Sequence, residues 1–247
     1  MGRPRKLTPI EVFETNIADA ERLLSLARAL DNKRLRRMRR ELREGFGSAM
    51  KLSRRDQERL DCVESDDLFV IIKPEGALTR GDLAEQELRP LLRQAVVSIA
   101  AATESYVAEK ASSYIGDALD GAPDKLRDVR VTLGEVFDIE QTLKRRRFGW
   151  RRIVQERIER DAGSAPNKID AVFGLVGKLV PWGKIDDRRH VRRGESRKQM
   201  EALAKRRNRI AHTGDRVGAK RAAITLGEAE GHLENAKAIV EALEREL

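Results

Sequence analysis

Apolar residues recur at helical spacing along most of the chain, and this pattern predicts a series of helices with short breaks. The first predicted helix begins at Thr8, because Thr8 and Glu11 form a capping box and Pro9 fits the first helical position. Similar capping boxes predict helices that begin near residues 82, 132 and 225, and further helices are expected from about 164 and over about 195–212. The helix after 82 is apolar over a wide arc, as expected of a central helix in a bundle. The pattern therefore predicts an all-α protein.

The sequence also predicts where some helices end and where the chain divides into two parts. The helix from about 164 is expected to end at Pro181-Trp182-Gly183, and the helix over about 195–212 at Gly214, a residue suited to a helix C-terminus. Residues 48–81 are less regular, and 68–72 (LFVII) is a strand candidate or an extended segment on the helices. We expect a basic, mostly helical N-terminal extension over 1–82 and a main helical domain over 83–247.

Composition narrows the classes of function. The 247 residues include 50 Lys and Arg against 41 Asp and Glu, a net charge of +9, which favours an anionic partner and nucleic acid first. No apolar run reaches about 18 residues, so no membrane-spanning helix is expected, and no secretory signal is expected at the N-terminus. A single cysteine, Cys62, excludes a disulfide framework and favours a cytoplasmic setting.

Metal and cofactor chemistry are not expected. The three histidines, His190, His212 and His232, each lack a second His or Cys at ligand spacing. Asp186 and Asp187 lie among arginines, so a salt-bridged surface is favoured over a magnesium site. The chain also lacks a glycine-rich phosphate loop and a Gly-x-Ser-x-Gly elbow.

The segment 205–215 (KRRNRIAHTGD) contains the main candidate chemistry. Asn208 and His212 are four residues apart and share a helix face. Arg207 lies about 140° from His212 on an ideal helix, within reach of a long side chain. Cationic neighbours are expected to lower the pKa of His212, so that a neutral imidazole takes a proton from a hydroxyl group.

An arginine beside such a histidine suits RNA cleavage without a metal. Its guanidinium binds a phosphodiester through a bidentate fork and stabilises extra charge in the transition state. The ribose 2′-OH then attacks the adjacent phosphorus, a route closed to DNA. Spacing alone favours an arginine-rich helix whose charges are merely solvated.

Three stretches resemble HEPN domains. Residues 207–212 (RNRIAH) resemble the Arg-x(4–6)-His signature of that superfamily. Residues 164–173 (SAPNKIDAVF) are similar to a stretch of its prokaryotic RiboL-PSP-HEPN-like branch. Residues 102–106 (ATESY) resemble an early HEPN helix with an acidic residue. The similarity covers about residues 83–246, in order.

The resemblance implies an up-and-down helical bundle, here with a helical N-terminal extension, that forms a homodimer in which two motifs build one RNA-cleaving site. By this resemblance Arg207 binds the scissile phosphate and His212 transfers protons. Asn208 orients His212 or the ribose. Glu104 holds Arg207 or the histidine, or forms an ordinary salt bridge. Many members are metal-independent endoribonucleases of toxin–antitoxin or antiviral systems, which suggests an antitoxin or defence partner.

Further basic clusters extend the candidate RNA surface. In 144–152 (KRRRFGWRR) we expect Phe148 and Trp150 to fill the core while the arginines bind RNA. Residues 188–193 (RRHVRR) precede the motif, and the run 33–43 suits RNA or an acidic partner. Ordinary solvation is the alternative for each cluster. The residues expected to bind RNA are Arg206, Arg209, Arg146, Arg147, Arg192 and Arg193.

The predicted function is therefore a metal-independent endoribonuclease in bacterial defence or growth arrest. One alternative is a non-catalytic RNA- or nucleotide-binding module that uses the motif for ligand contact. The other is a protein-interaction module in which the motif is structural. The three candidates predict different results. The endoribonuclease cleaves RNA, and the binding module binds RNA without cleaving it. In the interaction module, changing the motif lowers stability and does little else.

Overall fold

A computed structural model describes residues 5–30, 40–53, 88–121, 124–127, 129–141 and 146–247. These residues form eleven helices and one two-stranded sheet, so the predicted all-α class is confirmed for them. The helices are α1 (Pro9–Leu30), α2 (Arg40–Ala49), α3 (Arg89–Ser113), α4 (Ile115–Gly121), α5 (Asp124–Arg127), α6 (Leu133–Gln141), α7 (Arg146–Asp161), α8 (Pro166–Leu175), α9 (Trp182–Arg188), α10 (Glu195–Thr213) and α11 (Leu226–Glu246). The strands are β1 (Arg216–Val217) and β2 (Lys220–Arg221).

Helix starts follow the capping patterns of the sequence. The Thr8 backbone N–H donates to the Glu11 carboxylate at 2.7 Å, and the Glu11 N–H donates to the Thr8 hydroxyl at 3.3 Å. The same reciprocal pair joins Thr132 and Glu135 before α6. Such pairs satisfy backbone donors that have no partner within the helix. The predicted starts of α1 and α6 are therefore confirmed.

Helix α3 lies at the centre of the core. It packs against α1, α7, α8, α10 and α11. The face of α1 towards it includes Phe13, whose ring meets that of Tyr106 edge-on with centroids 6.1 Å apart. Ile17 and Leu24, farther along α1, are also buried in this cluster. The first helix of the N-terminal extension thus shares one hydrophobic core with the helices after residue 88.

Two ion pairs also join α1 to α11, the last helix. Lys237 on α11 donates to Glu21 at 2.7 Å, and Arg28 pairs with Glu230. These pairs are partly exposed and each contributes little to stability by itself.

Some elements differ from those that the sequence predicts. Helix α8 ends at Leu175, because Gly177 at φ 74° turns the chain. Trp182 begins α9 and does not end the preceding helix, so that prediction was wrong. Helix α7 and the β1–β2 hairpin were not predicted.

Other sequence predictions lie outside the described residues. These are the strand candidate 68–72, the capping pattern at 82–85, Cys62 and most of the basic run 33–43. Among the helices that are described, none has the length and apolar character needed to cross a membrane.

Candidate functional site

Helix α10, which carries the Arg-x4-His motif, is fixed at its N-terminal end by Asp186. This carboxylate accepts hydrogen bonds from the backbone N–H of Gly194 at 2.6 Å and of Ser196 at 2.9 Å. Burial raises the pKa of Asp186, but hydrogen bonds from Ser196 and Gly194, together with nearby Arg189, outweigh it and leave the pKa below its ordinary value. Asp186 is therefore a buried helix cap and not the surface residue that the sequence suggested.

The C-terminal end of α10 is fixed by a second buried carboxylate. Gly214 has φ 59°, and the next residue, Asp215, has φ 64° and is 0% exposed. Its Oδ2 atom accepts from Arg93 Nε at 2.9 Å and lies 3.1 Å from Arg206 Nη2. The same arginines donate to the carbonyl oxygens of Ala222 and Ala223 at 2.8 and 2.7 Å.

This arrangement removes Arg206 from the surface. The side chain of Arg206 also lies 3.3 Å from Glu228, so its charge is balanced inside the protein. Charged side chains are rarely buried without such partners. We therefore leave Arg206 out of the proposed RNA surface, although the sequence placed it there.

A polar cluster joins three elements beside the middle of α10. Arg207 Nη2 donates to Glu104 on α3 at 3.4 Å, and Arg207 Nη1 donates to Asn208 Oδ1 at 3.1 Å. The hydroxyl of Ser164, just before α8, donates to the other oxygen of Glu104 at 3.3 Å. Of the two partners suggested for Glu104, the structure brings it to the arginine. The cluster orients Arg207 while leaving it half-buried.

His212 lies in the last turn of α10 and is exposed. Asn208, one turn earlier, is also exposed and about 40° away around an ideal helix. Arg209 is exposed too, and it lies about 60° from His212 in the opposite direction around the helix, so Asn208 and Arg209 flank His212. The motif thus presents an amide, an imidazole and a guanidinium to solvent from one face of a helix that is held at both ends.

The other histidines have different surroundings. His190 is exposed at φ 53°, just after α9. His232 lies half-buried on α11, and burial lowers its pKa, with Glu228 acting in the opposite direction and Arg206 in the same one. Within the described chain no group of three or more potential metal ligands occurs.

The predicted RNA-binding arginines are spread over the molecule. Arg192 and Arg193 are exposed just before α10. Arg147 is exposed on α7 and pairs with Asp120 at 2.7 Å, an exposed contact that leaves it accessible. Arg146 begins α7, and its side chain is outside the described residues. The structure does not bring Arg147 into contact with the motif.

The aromatic residues of α7 are on the surface. Phe148 is 69% exposed and Trp150 is 37% exposed, so the prediction that they fill the core was wrong. Gly149 between them explains the orientation. A Cβ atom there would lie 2.7 Å from the Ile139 side chain, so α7 packs closely on α6 at this glycine. The side chains of the two neighbouring residues therefore point away from the contact.

Two residues that fix the site were missed in the sequence. Arg93 interrupts an apolar stretch of α3 between Leu92 and Ala95, which was a signal of a buried charge with a partner. Asp215 follows the glycine that ends α10, and it was interpreted only as part of a turn. Their 122-residue separation hides the pair from any local pattern.

Comparisons of the chain with protein-family models, with curated proteins and with solved structures found no match.

Proposed function

We propose that the protein is a metal-independent endoribonuclease in which Arg207 and His212 act on one phosphodiester. One observation carries this proposal: a helix held at both ends by buried carboxylates presents His212 and Asn208 to solvent beside an oriented arginine. The resemblance of residues 207–212 to the HEPN signature supports the same assignment.

In the proposed reaction the ribose 2′-oxygen attacks the adjacent phosphorus while His212 takes the hydroxyl proton. Arg207 binds the non-bridging oxygens and stabilises their added charge. The new P–O2′ bond forms as the P–O5′ bond breaks, and the leaving oxygen is protonated. The products are a 2′,3′-cyclic phosphate and a 5′-hydroxyl. Asn208 orients the imidazole or the ribose.

The proposal includes a homodimer. One histidine that accepts the 2′-proton cannot at the same moment protonate the leaving oxygen, so a second His212 from another copy supplies that proton. The up-and-down HEPN-like bundle and a setting in bacterial defence, with an antitoxin or similar partner, belong to this proposal through the resemblance alone. The exposed Arg209 binds the RNA backbone beside the site, and the exposed Arg192 and Arg193 bind it farther away, before the N-terminal end of α10.

One contact favours a second candidate function. Glu104 pairs with Arg207 and offsets part of its charge. An arginine paired in this way binds a phosphate less strongly, which suits a non-catalytic RNA- or nucleotide-binding module. That candidate predicts salt-dependent RNA binding without cleavage.

The test compares the wild-type protein with His212→Asn and Arg207→Ala on a mixed RNA substrate in EDTA. We expect cleavage by the wild type alone and 2′,3′-cyclic phosphate ends on its products. His190→Asn is the matched control, because His190 is also exposed and asparagine tolerates its positive φ. Circular dichroism checks that all four proteins fold equally.

Cleavage that survives in His212→Asn would overturn the proposed reaction. RNA binding by the wild type without any cleavage would favour the second candidate. A loss of stability in His212→Asn, with no RNA binding by any protein, would indicate a structural motif in a protein-interaction module.

A further inference from the structure

The β1–β2 hairpin lies immediately after the motif helix and has no role in the proposed reaction. Its strands are antiparallel, with Arg216 opposite Arg221 and Val217 opposite Lys220. All four residues are exposed. Arg216 is only four residues beyond His212, so the hairpin adds three cations next to the exposed end of α10.

The register places the two arginines close together. The Ala222 N–H donates to the Asp215 carbonyl oxygen at 2.7 Å, a ladder hydrogen bond immediately next to the Arg216–Arg221 pair. Because hydrogen-bonded positions alternate along an antiparallel ladder, Arg216 and Arg221 form a non-hydrogen-bonded pair, the kind whose side chains are closest. Side chains of directly opposed residues lie on one face of the hairpin, so Lys220 lies on the other face.

Two like charges in that arrangement repel each other. Opposed like charges destabilise a strand pair, and within the described part of the chain neither guanidinium forms an ion pair with a carboxylate. A phosphodiester between them would remove the repulsion and accept hydrogen bonds from both guanidinium groups. The pair therefore costs stability in the free protein and favours a bound anion.

The base of the hairpin is held in place by the residues that hold α10. Arg93 and Arg206 both contact the Asp215 carboxylate, and they donate to the carbonyl oxygens of Ala222 and Ala223. The residue before β1 and the residues after β2 are thus fixed to α3 and α10 together. The backbone that carries the two exposed arginines is consequently fixed next to the end of α10.

We propose that Arg216 and Arg221 bind a phosphodiester of the RNA strand next to the one that lies at His212. The location beside His212 rests on the proposed function, whereas the pair's affinity for a phosphodiester does not. The site determines how the strand runs across the end of α10, and it makes single-stranded RNA a better ligand than a mononucleotide.

The experiment measures binding of a short single-stranded RNA that carries 2′-O-methyl groups and so cannot be cleaved by 2′-attack. Fluorescence anisotropy gives the affinity of the full chain over a series of salt concentrations. Arg216→Gln and Arg221→Gln are each compared with Lys220→Gln, which removes the same charge from the other face of the hairpin. We expect each arginine variant to reduce the slope of log K against log salt by about 0.7, and Lys220→Gln to leave it unchanged.

A stability measurement accompanies the binding series. Removing one of two opposed charges should raise the Tm of the free protein slightly, because the repulsion is lost. A variant that binds RNA less well but is no less stable than the parent separates a ligand site from a structural role.

Three outcomes would overturn the inference. The first is an equal slope of log K against log salt for all three variants, and the second is no RNA binding by the parent protein. The third is displacement of the RNA by a poly-glutamate peptide whose own binding needs both arginines. The last outcome would assign the hairpin to an acidic protein. The cleavage assay above is independent of these results. Cleavage with equal slopes removes the hairpin site alone, and RNA bound through the arginine pair without cleavage removes the proposed reaction alone.

Discussion

Arg93 and Asp215 form a buried ion pair that joins the first turn of α3 to the residue after the motif helix, with Nε and Oδ2 2.9 Å apart. Arg206 contacts the same carboxylate oxygen at 3.1 Å. One carboxylate between two guanidinium groups leaves little freedom in the adjoining backbone. The position of His212, three residues earlier, therefore depends on a contact made far away in the sequence.

Replacement of Asp215 by asparagine should destabilise the protein by about 3 kcal/mol, because it leaves the buried Arg93 without its carboxylate partner and Arg206 with Glu228 alone. Asparagine tolerates the positive φ at this position, so the change tests the charge and not the backbone. Urea unfolding measures the difference in free energy. Asp187→Asn, an exposed position on α9, should stay within about 0.5 kcal/mol of the wild type. Equal stability of the two variants would contradict the role of the ion pair.

The protein should lose stability in acid because the contribution of the Asp186 carboxylate is lost there. Its pKa in the folded protein lies below its ordinary value, which is about 3.9 in an unfolded chain. The carboxylate therefore stabilises the fold above that value, and the stabilisation is lost as the pH falls through the lower, folded-state pKa. Unfolding free energies of the wild type and Asp186→Asn should differ at neutral pH and converge as the pH falls through the lowered pKa of the folded protein. A constant difference between them would show that the charge of Asp186 is not responsible.

Glu104→Gln should tighten the binding of uncleavable RNA, because Arg207 would no longer share its charge with a carboxylate. The pair is half-exposed, so we expect stability to change by no more than about 1 kcal/mol. Filter binding at low salt compares this variant with Glu109→Gln, which removes a carboxylate farther along α3. Unchanged affinity in Glu104→Gln, or equal tightening in both variants, would argue against phosphate binding by Arg207.

Phe148→Ala should leave the stability of the protein within about 0.5 kcal/mol of the wild type, since the ring is mostly exposed. Ile158→Ala on the same helix should cost about 2–5 kcal/mol, because that side chain is wholly buried. Thermal unfolding of the two variants side by side checks the assignment of the two faces of α7. A large loss in Phe148→Ala would place its ring in the core, as the sequence had suggested.

Local signals were sufficient to predict much of the helical structure. The Thr8–Glu11 and Thr132–Glu135 pairs act within one turn, so four consecutive residues are enough to identify a helix start. Gly214 was likewise predictable, because the left-handed conformation that ends a helix favours glycine. The sequence also identified α10 as the helix that carries the candidate chemistry.

Long-range packing determines side-chain directions that local sequence patterns do not predict. Arg206 and Arg207 are neighbours in a basic run, yet the first points into the core towards Asp215 and the second towards Glu104. Only the contact of α10 with α3 and α11 decides between these directions. Phe148 was misplaced for a related reason: the close approach at Gly149 assigns the packing face of α7 to a residue without a side chain.

The packing of α1 has a consequence for the order in which the chain folds. Lys237 and Glu21 are 216 residues apart, and Arg28 and Glu230 are 202 apart. During synthesis α1 is made before α3, against which Phe13 packs, and well before α11, which α1 also contacts. Closure of the core is therefore a late, non-local step, and such steps slow folding. We expect the nascent chain to expose Phe13 and Ile17 at least until α3 has been made.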